Sequence, residues 1–198
     1  MLSRIITSLL ILSLICSFAP TSASAQILEE DETTYVYKGF FINAEYGLYL
    51  FAVKPTALNP TDGKGPSADS LGSVGGFDMG FDIAEMFAIQ FSAWAVNIRG
   101  DVQGGGGTTA LLASVGATIY FMKTRFTVYG KLGAGLILTF PNDLGGMGIM
   151  THAGLGIRYY TRLKHFSVGV EARGFIRPPV GSDLTIGIGV IPSISYTF

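Results

Sequence analysis

The sequence predicts an all-β protein, an eight-stranded antiparallel up-and-down transmembrane β-barrel that follows a cleaved signal peptide. Apolar and polar residues alternate with period two from Tyr35 to the C-terminus, which is typical of strands whose two faces meet different surroundings. The chain is 48% hydrophobic but only 14% charged, whereas soluble proteins carry about 25% charged residues. Beyond the N-terminus, no apolar run reaches the roughly 20 residues of a membrane-spanning helix.

The N-terminus has the pattern of a secretory signal peptide. Arg4 supplies the positive charge, residues 5–18 form an apolar stretch, and Ala23-Ser24-Ala25 is a small-residue cleavage site. We therefore expect residues 1–25 to be removed. Cys16, the only cysteine, would leave with them, so that the mature chain would contain neither a disulfide nor a thiol nucleophile.

The rest of the chain divides into a short tail and one barrel domain. Residues 26–34 include four consecutive acidic side chains and show no periodicity, so we expect an acidic periplasmic tail. Residues 35–198 then form the barrel. The segments that alternate, and that we predict to be its strands, are about 37–50, 73–83, 87–98, 109–121, 126–140, 147–160, 166–177 and 184–198.

The predicted connections alternate between short and long. Bacterial barrels of this kind have short periplasmic turns and longer extracellular loops. Both mature termini would then lie on the periplasmic side. The short connections are 84–86, 122–125 and 161–164, and the longer ones are 52–72, 99–108, 141–146 and 178–183.

Alternation is clearest in the last predicted strand. Leu184, Ile188 and Ile194 share one face with other apolar residues, whereas the opposite face carries mostly Gly, Ser and Thr. Ile191 is the exception on the polar face, and Pro192 predicts a local irregularity because it has no N–H for the ladder. The apolar face carries almost no charge on any strand, so we expect it to contact lipid. The polar face is too lightly charged for a soluble exterior and suits a narrow lumen.

Aromatic residues are concentrated near the strand ends that the short turns connect. Aromatic rings prefer the interface between a membrane and water, so this concentration predicts a belt at the periplasmic interface. The opposite rim has fewer aromatic residues, namely Tyr49, Phe51, Phe140 and Phe175. The predicted interface aromatics are Phe40, Phe81, Phe87, Phe121, Phe126, Tyr159, Phe166, Tyr196 and Phe198, with Tyr37 beside them.

A set of ionisable residues falls on the polar, inward face. Buried charges must be paired, and side chains about fill the interior of an eight-stranded barrel. We therefore expect a lumen plug of mutually paired charges; the alternatives are a selective pore and a catalytic constellation. The predicted lumen cluster is Glu45, Asp78, Asp82, Lys131, His152, Arg158, Glu171 and Arg173.

The chain resembles bacterial outer-membrane β-barrels of the OmpA/OmpX type. The resemblance rests on the signal peptide, the alternating strands and the terminal Tyr196-Thr197-Phe198. It implies a location in the bacterial outer membrane, contact with outer-membrane lipid, and a C-terminal strand that the barrel-insertion machinery reads. Residues 38–47 are also similar to the first strand of small envelope barrels from gliding bacteria, which adds a connection to motility.

The predicted function is a non-enzymatic structural, anchoring or accessory component of an envelope assembly, with other envelope proteins as partners. The alternatives are a narrow channel for ions or small solutes, and a lipid-modifying enzyme. Against the enzyme, His152 lacks a Ser two residues further on, and His165 lies beside a short turn. Two separate histidines give no metal-ligand spacing, so no metal or cofactor is expected. A net charge of −1 gives no reason to expect a nucleic-acid partner.

Overall fold

The computed structural model describes residues 39–54, 67–102, 106–140, 146–163, 165–179 and 184–198. The predicted signal peptide (1–25), the acidic tail (26–34) and Tyr37 lie outside these residues. The chain divides into two units, Met1–Glu32 and Thr33–Phe198, and the second contains all the described strands. The described residues include no helix that is long and apolar enough to span a bilayer.

Eight strands form a single closed antiparallel sheet, which confirms the predicted fold class. Each strand pairs with its neighbours in sequence, and the last strand closes the sheet on the first. The strands are β1 (Phe40–Val53), β2 (Ser67–Asp82), β3 (Phe87–Val102), β4 (Gly106–Lys123), β5 (Phe126–Phe140), β6 (Met147–Tyr160), β7 (Phe166–Arg177) and β8 (Thr185–Thr197).

The strand bounds differ from the prediction mainly at the end of the barrel with the long connections. β2 begins at Ser67 rather than at residue 73, and β3 and β4 extend into the predicted loop 99–108. Backbone pairing needs no side-chain alternation, so the ladder can continue through residues 67–72, which are mostly small or polar, and through the Gly-rich ends of β3 and β4. Both extensions contain register shifts, one after Ala68 and one after Ile98.

The short turns and both ends of the described barrel lie at one end of the sheet. The backbone N–H of Asp82 donates to the carbonyl of Gly39 over 3.0 Å, and that of Phe198 donates to Phe40 over 2.9 Å. The N–H of Thr197 donates to His165, in the turn between β6 and β7. These bonds tie the first and last residues of the barrel to its short turns.

The two faces of the sheet have opposite polarity. Large apolar side chains point outward and remain exposed, among them Val115 (61%), Leu132 (58%) and Leu155 (64%). The inward face buries small polar and charged side chains, as in Asn43 and Lys131. A continuous exposed apolar exterior is unfavourable in water but matches the hydrocarbon of a membrane.

The irregularity predicted at Pro192 is confined to one side of its strand. Pro192 pairs with Val170 of β7, but toward β1 the pairs stop at Ser193 and resume at Val190. The interruption follows from the missing N–H of proline, which removes one bond of the β1–β8 ladder. Ile191, the apolar exception on the polar face, is buried in the lumen with 1% of its surface exposed.

Inward-facing glycines make room for large side chains from neighbouring strands. A Cβ atom on Gly133 would overlap the His152 ring, and one on Gly156 would overlap the ring of Tyr129. A narrow lumen can hold such rings only where the facing strand has no side chain. The Gly content of the polar face is therefore part of the lumen packing.

An arginine placed on the outward face tests whether that face contacts hydrocarbon. Leu132 lies near the middle of β5, so we expect Leu132→Arg to lower the free energy of unfolding by roughly 2–4 kcal/mol. Met147 lies at the end of β6, where the same charge should cost about 0–1 kcal/mol. Urea unfolding in lipid vesicles measures both variants. Equal stability of the two variants would contradict a depth-dependent lipid contact.

Candidate functional site in the barrel lumen

The centre of the lumen contains Lys131 surrounded by three carboxylates. Its Nζ lies 2.6 Å from Oδ2 of Asp78, 3.0 Å from Oε1 of Glu45 and 3.0 Å from Oε2 of Glu171. These four side chains come from β5, β2, β1 and β7, and at most 1% of each is exposed. One cation thus joins strands from opposite sides of the barrel.

Arg173 is the second cation of this cluster. Its Nη2 lies 2.9 Å from Oε1 of Glu45, and its Nε donates to Oε1 of Glu171. The guanidinium carbon is 4.3 Å from the centroid of the Trp94 ring, so the cation also stacks on an aromatic face. We call Glu45, Asp78, Lys131, Glu171 and Arg173 the central ion network.

Neutral side chains donate further hydrogen bonds to two carboxylates of the central ion network. Asn43 Nδ2 donates to Oε1 of Glu45 over 2.7 Å, and Trp94 Nε1 donates to Oε2 of Glu45 over 3.0 Å. The Tyr129 hydroxyl donates to Oε2 of Glu171 over 3.2 Å. Buried carboxylates are tolerable when cations and donors satisfy their oxygens, and these bonds do so for Glu45 and Glu171. Oδ1 of Asp78 and Nη1 of Arg173 have no hydrogen-bond partner among the described residues.

The other three residues of the predicted lumen cluster lie outside this network. Arg158 is buried nearer the short turns, with its guanidinium carbon 5.1 Å from the centroid of the Tyr129 ring. Asp82 is half-buried at the end of β2. His152 is buried beside Trp94, with ring centroids 4.9 Å apart. The structure therefore joins five of the eight residues and separates the rest into neighbouring layers.

His152 also has a serine neighbour that the sequence reasoning missed. The Oγ of Ser114 on β4 lies 3.1 Å from Nε2 of His152 on β6, although the two residues are far apart in sequence. A catalytic dyad would need a group that orients the other ring nitrogen and a path for substrate. In the described residues Nδ1 of His152 has no hydrogen-bond partner, and both side chains are almost fully buried.

The lumen becomes apolar toward the end with the long connections. Tyr49, Trp94, Met150 and Phe175 belong to one buried apolar cluster there. Tyr49 and Phe175 were expected at the membrane rim, and this expectation is wrong because both occupy inward positions, with 6% and 5% exposed. The cavity above the cluster has a volume of about 60 Å³, well below the 150 Å³ or so of a cavity that holds benzene.

The interface aromatics expected at the other end all lie on the outside. Seven of them are at least 40% exposed, from Phe40 at 40% to Phe126 at 60%, and Tyr159 and Tyr196 are partly exposed. Several contact each other: the Phe166 and Tyr196 ring centroids are 4.8 Å apart, and those of Phe126 and Tyr159 are 4.9 Å apart. The rings form an outer girdle level with the short turns.

Metal binding has no support in the geometry of the described residues. No group of three or more His, Cys, Asp or Glu side chains among them is arranged to hold an ion. The carboxylates of the central ion network are already occupied by Lys131 and Arg173. The arrangement fills the lumen and ties its strands together.

No protein-family model and no curated protein matches the chain. Among solved structures, it is similar to Neisserial surface protein A, with a TM-score of 0.58 and 13% identity over 81% of this chain and 97% of the other. It is also similar to the outer membrane protein OprG from Pseudomonas aeruginosa, with a TM-score of 0.49 and 16% identity over 83% of this chain and 98% of the other. The similarity to the first of these confirms the fold expected from the OmpA/OmpX resemblance.

Charge balance in the central ion network can be tested by removing one charge at a time. Lys131→Met leaves three buried carboxylates with one cation, and breaking a buried pair costs about 3–5 kcal/mol. Asp78→Asn should cost less, because two carboxylates then face two cations. The double variant should be more stable than Lys131→Met alone. Unfolding midpoints in urea test this order, and additive losses would contradict the pairing.

Proposed function

We propose that the chain is a bacterial outer-membrane protein with a non-enzymatic structural, anchoring or accessory role in an envelope assembly. The observation that carries this proposal is the central ion network, which fills the middle of the lumen with paired charges. A filled lumen leaves the outer surface, the loops and the termini as the regions that contact other molecules. The exposed apolar exterior supports an embedded position.

The proposed orientation places the short turns and both mature termini in the periplasm. Its support is that the short turns lie together at one end of the barrel, since outer-membrane barrels have short periplasmic turns and longer extracellular loops. The girdle of exposed aromatic rings places this end at a membrane interface. The C-terminal strand ends in Tyr196 and Phe198, which pack against each other with centroids 4.9 Å apart. We propose that the barrel-insertion machinery reads this strand. Contacts with other envelope proteins, including a motility assembly, would use the connection between β1 and β2, residues 54–66, or the acidic tail 26–34.

Planar-bilayer recording tests the structural role against the alternative of a narrow channel. The wild-type barrel should give no conductance steps, because the central ion network blocks the lumen. A double variant, Glu171→Ser with Arg173→Ser, removes an oppositely charged pair of long side chains and should introduce steps. Steps from the wild type that Lys131→Met or Arg173→Ser abolishes would favour the channel and overturn the proposal.

The masses of the lipid A species in a host that expresses the protein test for a lipid-modifying activity. Expression of the wild type in a Gram-negative host should leave the masses of its lipid A species unchanged. The variants His152→Ala and Ser114→Ala should give the same mass spectrum, because this pair is buried in the lumen. A new lipid species that appears with the wild type and disappears with either variant would contradict the non-enzymatic proposal.

A further inference from the structure

The outward face of the barrel carries a compact polar patch. Ser73 on β2 pairs with Asn97 on β3, which pairs with Thr109 on β4, and Arg99 lies two positions beyond Asn97. Apart from these four residues and the tyrosines, Thr151 is the only polar residue among the outward-facing strand side chains that the structure describes. The corresponding ends of β5 to β8 present apolar side chains, namely Phe140, Met147, Ile176 and Leu184.

This patch borders an open groove of about 580 Å³ on the barrel surface. Tyr46 and Leu71 form its apolar walls, with 71% and 55% of their surfaces exposed. The Tyr46 ring lies against Gly75, one row nearer the aromatic girdle than the polar residues. The groove is therefore amphipathic: Tyr46 gives an apolar contact toward the middle of the barrel, Ser73 and Asn97 give polar contacts one row nearer the long connections, and Leu71 lies one row beyond Ser73.

The polar end of the groove lies at the height of a lipid headgroup. Asn97 lies ten positions beyond the girdle residue Phe87 in β3. A tilted strand gains about 2.5 Å of height per residue, which places Asn97 about 25 Å above the girdle. The apolar band of a membrane barrel is about 25 Å tall, so the patch meets the opposite membrane surface.

The chemistry of the patch suits an anion. Thr109 Oγ1 donates to Oδ1 of Asn97 over 2.9 Å, so the amide N–H groups are the donors that Asn97 offers. The Arg99 side chain is exposed and adds a guanidinium, which matches phosphate oxygens with paired N–H groups. Ser73 adds a hydroxyl. No acidic side chain is among the described residues that line the groove.

We propose that this groove binds a phosphorylated lipid of the outer leaflet, with the phosphate at Arg99 and Asn97 and an acyl chain along Tyr46. The proposal rests on the proposed membrane location and orientation. A second copy of the chain fits less well, because a two-fold axis through the groove would bring two Arg99 side chains together. A lipid supplies both the negative charge above and the hydrocarbon below.

Lipid retention in detergent tests the proposal. The purified barrel would be incubated in dodecylmaltoside with bisphosphorylated lipid A, and bound lipid would be counted by native mass spectrometry. Arg99→Gln should weaken retention about tenfold, as the loss of a charge-assisted contact implies. Arg162→Gln is the matched control, since Arg162 is an exposed arginine at the opposite end of the barrel. Lipid A stripped of its phosphates should be retained equally by all three proteins.

A second pair of variants tests the groove without changing charge. Ser73→Leu should fill the groove and reduce retention, whereas Thr151→Leu, the same kind of change on β6, should leave retention unchanged. Mobility on gels shows that each variant is folded, and recovery of the wild type and the variants in the outer-membrane fraction of the host separates failure of lipid binding from failure of the proposed membrane location. Equal retention by Arg99→Gln and Arg162→Gln would overturn the proposal. Dimers formed when a Ser73→Cys variant is cross-linked would also overturn it, because they would place a second copy of the chain in the groove.

Discussion

The structure depends on pairing five charges inside a closed sheet. A carboxylate or an ammonium without a partner in a low-dielectric interior would cost several kcal/mol, so Lys131 and Arg173 must lie within reach of their three carboxylates. These residues come from four different strands. Their contacts therefore fix how the strands face each other across the lumen, which the hydrogen bonds of neighbouring strands alone do not determine.

The alternation of each strand was sufficient to predict the fold. A period of two residues assigns every side chain to one of two faces, and a shift of register by one residue would expose the ions and bury the apolar residues. Lys131, Glu171 and Arg173 consequently had predictable sides. Strand bounds were predictable where alternation was strong, as in β5 and β6. The prediction failed at the start of β2, because residues 67–72 are mostly small or polar and show no clear alternation.

The partners of each lumen residue were not predictable from the sequence. The bond between Ser114 and His152 joins β4 to β6, and depends on the size of the barrel and on the space that Gly133 leaves for the His152 ring. The inward rings of Tyr49 and Phe175 show the same limit. Their position near a strand end suggested an interface role. Their place in the alternation puts both rings on the inward face, however, and the alternation decides which face a side chain takes when it disagrees with position along the strand.

The middle of the lumen differs in its packing from the end with the long connections, and this difference bears on function. Near the middle, the five side chains of the central ion network make ionic or hydrogen-bonded contacts with several strands, so small displacements there would expose unpaired charge. Toward the long connections, the packing is apolar and nondirectional. In the proposed structural role, the ionic middle and the apolar end of the lumen both hold the sheet closed. Contacts with other molecules would then use the polar side chains that interrupt the otherwise apolar exterior, because the interior side chains already bind one another.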